Sequence, residues 1–278
     1  YLLTNHHVIP DLDSAAECLA QFGYDQDILG RKLTPIEYEL DPSVFFTNRD
    51  LDYTFVKIKE TPKSSSLESL GKAGDRFGWL TMSTFQTMIA PPISSEEIER
   101  LRTQGFELAI KEGDGLLGEP VNIIQHPKGQ RKQVALSNNR MLEIDRDFIR
   151  YQADADFSSS GSAVCNQQWQ LVGLHHAAIP KLDGEGKVVR KDKNSKIFVI
   201  QAQQGVRIHR IVEDLEKQVK ERNEKAKEEA MKNGTFDPKM QKRPPTDPVA
   251  DEVENFIRYF VDKPNEPAEE KPVYATAF

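Results

Sequence analysis

Apolar and polar positions along the chain form short runs that are typical of β-strands. The runs are rich in Val, Ile, Phe and Tyr, and Gly, Pro, Asn and Asp separate them. They are Tyr1–Leu3, Val44–Thr47, Tyr53–Ile58, Val121–Gln125, Gln133–Leu136, Phe148–Tyr151, Ala163–Cys165, Gln170–His175 and Ile197–Gln201. Many short strands with turn signals between them predict an all-β barrel or sandwich.

Fewer segments of the chain have the signals of a helix than of a strand. Asp13–Ser14 is placed to cap a short helix, and Ser94–Ser95 to cap a surface helix that ends at Gly105. Near the C-terminus, apolar residues recur every three or four positions, at Ile208, Ile211, Val212, Leu215 and Val219. Interleaved Glu and Lys then predict a solvated helix, and an apolar face over Val253–Phe260 predicts a last one.

Composition narrows the class of protein. The 278 residues are 38% apolar and 29% charged, which is enough to bury a sizeable core. The net charge of -7 argues against nucleic acid as the main partner. Since no apolar run approaches the ~18 residues of a membrane span, no membrane is expected as a partner. Cys18 and Cys165 provide neither a disulfide framework nor a metal-ligand spacing, so unpaired thiols are expected.

The first residues, YLLTNHHVIP, have no Met and already lie inside an apolar run. This favours a fragment of a longer protein, with any signal peptide upstream of it. The compartment is therefore left open, with the cytoplasm favoured over secretion.

The run DFSSSGSAVCN places three serines before a Gly and an apolar strand. It is either a polar turn or a nucleophile exposed at the end of a strand. A serine becomes a nucleophile when a His, oriented by a carboxylate, takes its proton. The chain holds such groups in LLTNHHVI, which ends a strand with histidines, and in DLDYTFV, which places a carboxylate before an apolar strand.

The order His, Asp, Ser and the motifs LLTNHHVI, DLDYTFVKI and YQADADFSSSGSAVCN resemble those of bacterial trypsin-like serine peptidases. VNIIQHPKGQRKQVAL and WQLVGLHHA are similar to further runs of that family, and the likeness spans roughly Tyr1 to Leu215. The resemblance implies a serine endopeptidase that acts on a protein or peptide and uses no cofactor. It also implies an all-β chymotrypsin fold of two packed six-stranded antiparallel β-barrels, the first lacking its opening strands, with a C-terminal helical extension.

The same resemblance divides the chain into three parts. Residues 1–112 are expected to form the first barrel with an inserted helix, and residues 113–217 the barrel that carries the nucleophile. Residues 218–278 are expected to form a charged helical extension and a disordered tail. This extension is a candidate attachment point for a fused or separate effector partner.

The family pattern carries over to single positions. The general base is expected to be His7 rather than His6, and the carboxylate Asp52 rather than Asp50. Ser160, the serine directly before Gly-Ser, is the expected nucleophile. The resemblance places this triad in the cleft between the barrels.

One departure from the pattern bears on activity. The oxyanion hole is expected to use the backbone N–H groups of Ser158 and Ser160, yet the family has Gly where this chain has Ser158. A catalytically degenerate barrel that binds peptides or a partner protein is therefore an alternative. Another alternative is a protease restricted to cutting its own chain.

The predictions of specificity oppose each other. Asp154 stands where trypsins carry the acid of the primary pocket, which favours Lys or Arg before the cut, although it could instead be a structural hydrogen-bond acceptor. His175 aligns with the histidine that glutamyl endopeptidases use to recognise an acidic side chain. The backbone from His176 to Ala178 is expected to pair with the substrate as an added strand.

Overall fold

The computed structural model describes residues 1–86, 88–106, 118–153, 159–192, 197–238 and 244–263. Two compact units make up the chain. The first comprises Tyr1–Phe85 and Ile208–Phe278, and the second comprises Gln86–Arg207. The domain boundaries drawn from the sequence, at residues 112 and 217, stay predictions.

The described residues are mostly β, with the longest helices after the last strand of the second unit. The strands are β1 Leu2–Thr4, β2 Leu19–Phe22, β3 Ile36–Asn48, β4 Tyr53–Ile58, β5 Met82–Ser83, β6 Asn122–Gln125, β7 Gln133–Ala135, β8 Met141–Ile144, β9 Phe148–Tyr151, β10 Ala163–Cys165, β11 Leu171–Pro180, β12 Ile200–Arg207 and β13 Val261–Asp262. The helices are α1 Leu12–Glu17, α2 Ala73–Phe77, α3 Ser95–Thr103, α4 Ile208–Lys232 and α5 Pro248–Phe260. No described helix is long and apolar enough to cross a membrane.

The first unit contains an antiparallel sheet in the order β1-β4-β3-β2. Its strand β4, with the sequence YTFVKI, is buried over its first four residues because side chains cover both of its faces. Strand β3 pairs with β2 from Ile36 to Glu39 and with β4 from Leu40 to Asn48. The pairing with β4 contains a register shift between Asp41 and Phe45, and such an irregularity bends a strand.

Helices α4 and α5 complete the core of the first unit. The helical spacing predicted for α4 is confirmed, because its buried apolar residues are Ile208, Ile211, Val212, Leu215 and Val219. Asp247 caps α5 by accepting hydrogen bonds from the N–H groups of Val249 and Ala250. After α5, strand β13 pairs in parallel with β5, so the chain beyond residue 217 belongs to this core in its described part.

The second unit contains an antiparallel sheet of seven strands in the order β7-β6-β10-β11-β12-β9-β8. Its core is apolar and includes Val121, Ile123, Met141, Ile149 and Val164, each at most 1% exposed. Helix α3 begins as predicted, because the Ser94 hydroxyl accepts a hydrogen bond from the N–H of Glu97.

Several details of the sequence prediction need correction. The described sheets have four, seven and two strands, so the count of six strands per barrel is not confirmed. Helix α1 is capped by Asp11 rather than by Asp13–Ser14. The strand predicted at Ile197–Gln201 lies further along the chain, at Ile200–Arg207, because its residues pair with both β11 and β9.

Candidate active site

A turn after β1 presents His7. The carbonyl oxygen of Asn5 accepts hydrogen bonds from the N–H groups of Val8 and Ile9, at 3.1 and 3.2 Å, and so closes the turn around the two histidines. The hydroxyl of Thr54, on β4, donates to the carbonyl oxygen of Ile9 at 2.8 Å and holds the end of this turn against β4. The His7 side chain remains 48% exposed, so its imidazole is open to a substrate.

Asp52 lies in the turn between β3 and β4. The side-chain oxygen of Asn48 accepts hydrogen bonds from the N–H groups of Asp50 and Leu51, which shapes the turn. Asp52 itself has a φ of 50°, in the left-handed region that Asp and Asn tolerate better than most residues. The side-chain amide of Asn5 donates to the carbonyl oxygen of Asp52 at 2.9 Å and holds this conformation.

Strand pairing explains why the histidine turn meets the aspartate turn. Strands β1 and β4 are antiparallel, with Thr4 opposite Thr54. The end of β1 therefore lies beside the start of β4, and the residues that follow Thr4 lie next to those that precede Tyr53.

His7 and Asp52 are held together by two contacts. The Nδ1 atom of His7 lies 2.8 Å from Oδ2 of Asp52, and the His7 backbone N–H donates to Oδ1 at 3.0 Å. A carboxylate only accepts hydrogen bonds, so Nδ1 carries the proton in the neutral ring and Nε2 is the basic nitrogen. This is the arrangement that a general base of the Ser-His-Asp type needs.

The neighbouring His6 has a different environment. Its Nδ1 atom lies 2.9 Å from the hydroxyl of Thr47 on β3. The same hydroxyl donates to the carbonyl oxygen of Tyr53 at 3.0 Å. His6 is thus a structural group of the sheet, whereas His7 makes the contact with Asp52.

Ser160 lies in the second unit, in a turn that precedes β10. Two backbone hydrogen bonds hold this turn to β11: the N–H of Gly161 donates to the carbonyl of His175, and the N–H of His175 donates to the carbonyl of Ser162, both at 2.9 Å. Ser159 is 1% exposed and donates to the side-chain oxygen of Gln125 at 2.7 Å. The turn is therefore anchored on both sides of Ser160, which is half-buried.

The turn that carries Ser160 requires a left-handed backbone conformation at Gly161. Its φ is 82°, a value that glycine adopts without steric cost. Of the other predicted site residues in this region, Ser158 and Asp154 lie outside the described residues.

The other predicted substrate residues, His175, His176 and Ala178, lie on β11. His175 is 5% exposed, and its Nδ1 atom lies 2.7 Å from the hydroxyl of Tyr151. Burial raises the pKa of Tyr151 well above its usual range, so this phenol stays neutral. The His176 ring stacks on Phe148 at 5.1 Å, and Ala178 is exposed.

In the described part of the chain, β12 pairs with β11 from Gly173 to Pro180, whereas β10 on the other side pairs with it from Leu171 to Leu174. Beyond β10, His175 is bonded to the turn around Ser160. The pairing of His176 to Ala178 with a substrate strand stays a prediction.

One further residue was not singled out from the sequence. The buried Asn5 touches both turns of the His7–Asp52 pair, and its position directly before the two histidines could have indicated this. The described residues contain no cluster of three or more His, Cys, Asp or Glu side chains that could hold a metal ion.

The family comparison agrees with these motifs. The model of the trypsin-like peptidase domain matches residues 1–174. The uncharacterized protein y4fB of Sinorhizobium fredii (strain NBRC 101917 / NGR234) is 30% identical over 243 residues, which cover 78% of this chain and 32% of that protein. The chain therefore spans about a third of the length of this curated relative.

Among solved structures, a Glu endopeptidase in complex with MPD matches with a TM-score of 0.38 and 13% identity, over 74% of each chain. The family model covers well over half of the sequence. The chain belongs to the trypsin-like peptidase domain family.

Proposed function

We propose that this chain is a serine endopeptidase with His7, Asp52 and Ser160 as its catalytic residues, built on the two-barrel arrangement of its family. The observation that carries the proposal is the double contact between His7 and Asp52, at 2.8 and 3.0 Å. Family membership and the anchored turn around Ser160 support it.

In the proposed mechanism, Oγ of Ser160 attacks the carbonyl carbon of a peptide bond while Nε2 of His7 takes the hydroxyl proton. Asp52 stabilises the imidazolium that forms and keeps the ring oriented. The protonated His7 then gives its proton to the leaving amine, which leaves an acyl-enzyme. A water molecule, deprotonated by His7, hydrolyses that ester and restores the hydroxyl.

The negative charge that develops on the carbonyl oxygen needs backbone donors. The N–H groups of Ser160 and Ser158 are proposed for this role, because their donors do not depend on side-chain identity. The side of β11 that faces away from β12, from His176 to Ala178, is proposed to pair with the backbone of a protein or peptide substrate, because β10 pairs with that side only as far as Leu174.

For the residue before the cut, Asp154 and His175 remain opposing proposals. The His175 imidazole is buried and bonded to a neutral Tyr151. It therefore has a fixed orientation, as a recognition group requires. A peptide-library cleavage profile of the wild type and of Asp154→Ala distinguishes the two.

A fluorophosphonate probe tests the function, since it labels only an activated serine. We expect the wild type to be labelled and Ser160→Ala to be unlabelled, with peptide turnover lowered by about 10⁴-fold or more. Ser162→Ala is the matched control, because it makes the same change two residues away, and it should keep its label.

One alternative has a specific observation in its favour. Ser158 stands where glycine is typical of the family, which favours a degenerate barrel that binds peptides without cutting them. Absence of labelling in the folded wild type, together with peptide binding, would support that alternative and contradict the endopeptidase.

A further inference from the structure

Tyr53, the residue after Asp52, is bonded to helix α4. Its side chain is fully buried at 0% exposed. Its hydroxyl donates to Oδ2 of Asp214 at 2.6 Å. Burial, and then the hydrogen bond to Asp214, raise the pKa of Tyr53 far above its usual range. The phenol therefore stays a neutral donor to this carboxylate at any working pH.

Gln218, one turn further along α4, completes the network. Its side-chain nitrogen donates to Oδ2 of Asp214 at 2.7 Å and to the hydroxyl of Tyr53 at 3.2 Å. It also reaches the carbonyl oxygen of Thr47 on β3 at 3.4 Å. The amide donates, the carboxylate accepts and the phenol does both. Since the amide nitrogen has two hydrogens and three acceptors, one hydrogen is shared between two of them. Helix α4 thus holds both strands that flank the Asp52 turn.

The conformation of Asp52 makes this network relevant to the active site. A φ of 50° costs free energy for a residue that has a Cβ, so its neighbours must hold it in place. Asn5 holds its carbonyl oxygen on one side. On the other side, any rotation about the backbone of Asp52 would have to move the buried ring of Tyr53.

We propose that Asp214 and Gln218 of helix α4 are positioning residues for the His7–Asp52 pair and act through the hydroxyl of Tyr53. The proposal rests on the proposed function, because the pair it positions is the proposed general base and its partner. It gives the C-terminal helix a part in turnover, although α4 lies outside the part of the chain that the family model matches.

Tyr53→Phe tests the proposal with the removal of a single oxygen atom. We expect kcat for peptide hydrolysis to fall about tenfold while KM changes less than about twofold, because only the geometry of the base is disturbed. We also expect the downfield proton NMR signal of the His7 Nδ1–H to shift or broaden, since its acceptor Asp52 is no longer held in one position.

Tyr38→Phe is the matched control. Tyr38 is also 0% exposed, lies in the same unit, and donates its hydroxyl to the carbonyl oxygen of Gly71 at 2.9 Å. Both variants lose one hydroxyl oxygen from a buried ring, but Tyr53→Phe also removes a donor from the Asp214 carboxylate and should therefore lose more stability. Only Tyr53→Phe should change kcat and the His7 signal.

A second pair of variants tests Asp214 itself. Asp214→Asn keeps an acceptor oxygen for Tyr53 and should retain most of the activity and the His7 signal. Asp214→Ala removes the acceptor and should behave like Tyr53→Phe. Such rescue by the conservative variant is not expected of a residue that only adds stability.

The outcomes separate this proposal from the proposed function. If Tyr53→Phe and Tyr38→Phe leave the His7 signal equally unchanged, the positioning role is wrong, whatever the activity. If the wild type neither hydrolyses peptides nor reacts with the fluorophosphonate, the endopeptidase is wrong. The NMR comparison then still decides whether α4 positions the pair.

Discussion

Asp52 and Gly161 both occupy the left-handed region of backbone space, with φ values of 50° and 82°. Asp52 is itself a proposed catalytic residue, and Gly161 directly follows the proposed nucleophile Ser160. At Gly161 the absence of a Cβ makes the conformation easy, whereas at Asp52 hydrogen bonds from neighbouring residues have to maintain it. The His7–Asp52 pair and Ser160 are thus positioned by different physical means.

Cys165 provides a pH-dependent test of the buried core. Burial raises the pKa of its thiol from an ordinary 9.0 to about 11. The folded protein therefore keeps this proton between pH 9 and 11, while the unfolded chain releases it. The neutral buried thiol therefore stabilises the fold fully below pH 9. As the pH rises from 9 to 11, the unfolded chain is favoured by loss of the proton, and the free energy of unfolding should fall by up to about 3 kcal/mol.

Urea unfolding at several pH values measures this fall. Cys165→Ala should lose the thiol's part of the pH dependence, whereas Cys18→Ala, at the partly exposed cysteine, should keep it. If the free energy of unfolding falls with pH equally steeply in the wild type and in Cys165→Ala, the raised pKa of the Cys165 thiol is contradicted.

The resemblance to the family's histidine and aspartate motifs pointed to His7 and Asp52, and the structure places these two residues in contact. They did not identify the link from Tyr53 to Asp214, which are 161 positions apart in the chain. A hydrogen bond over that separation depends on how α4 packs on the sheet, and no local pattern encodes it.

At the scale of elements, α5 is attached to the first sheet by aromatic rings. Phe256 lies 5.0 Å from Phe55 on β4 and 5.0 Å from Tyr1, measured between ring centroids. Phe260 continues the cluster at 5.5 Å from Phe256. Because such rings bury large apolar areas, this cluster should contribute substantially to the stability of the first unit.

Phe256→Ala tests the cluster. We expect the free energy of unfolding to fall by about 2 kcal/mol, somewhat less than for a fully buried ring, because Phe256 is partly exposed. Tyr259→Ala, on the same helix at a position that is 48% exposed, should change it by less than about 0.5 kcal/mol. Similar urea midpoints for both variants would show that the cluster does not hold the helix.

Element prediction succeeded where β-branched and aromatic residues were dense. Strands β4, β9 and β10 have the bounds expected from the sequence. Strands β2 and β8, with the sequences LAQF and MLEI, were not predicted. Leu, Ala, Met and Glu favour helices when isolated, so these strands depend on their pairing with β3 and β9.

At the scale of the whole molecule, the folded core extends past the family match. That match ends at residue 174, within β11. Strand β12 comes later in the sequence, yet it lies inside the seven-stranded sheet and pairs with both β11 and β9. Helices α4 and α5 come later still and supply much of the core of the first unit.

A chain cut after residue 174 should therefore fail to fold. Removing an interior strand exposes unpaired backbone groups and apolar side chains on both neighbours. We expect the fragment 1–174 to show no cooperative urea transition by circular dichroism, whereas the fragment 1–263 should show one. Cooperative unfolding of the shorter fragment would contradict this.

The side of β11 that faces away from β12 has a consequence for how the molecule behaves in concentrated solution. In the described part of the chain, β10 pairs with that side only as far as Leu174, so the stretch from His176 to Ala178 is a template with which an extended chain can pair. A second molecule could occupy that template as readily as a substrate. Under the proposed function, a short extended peptidomimetic without a cleavable bond would therefore act as a competitive inhibitor and also keep the protein from self-associating.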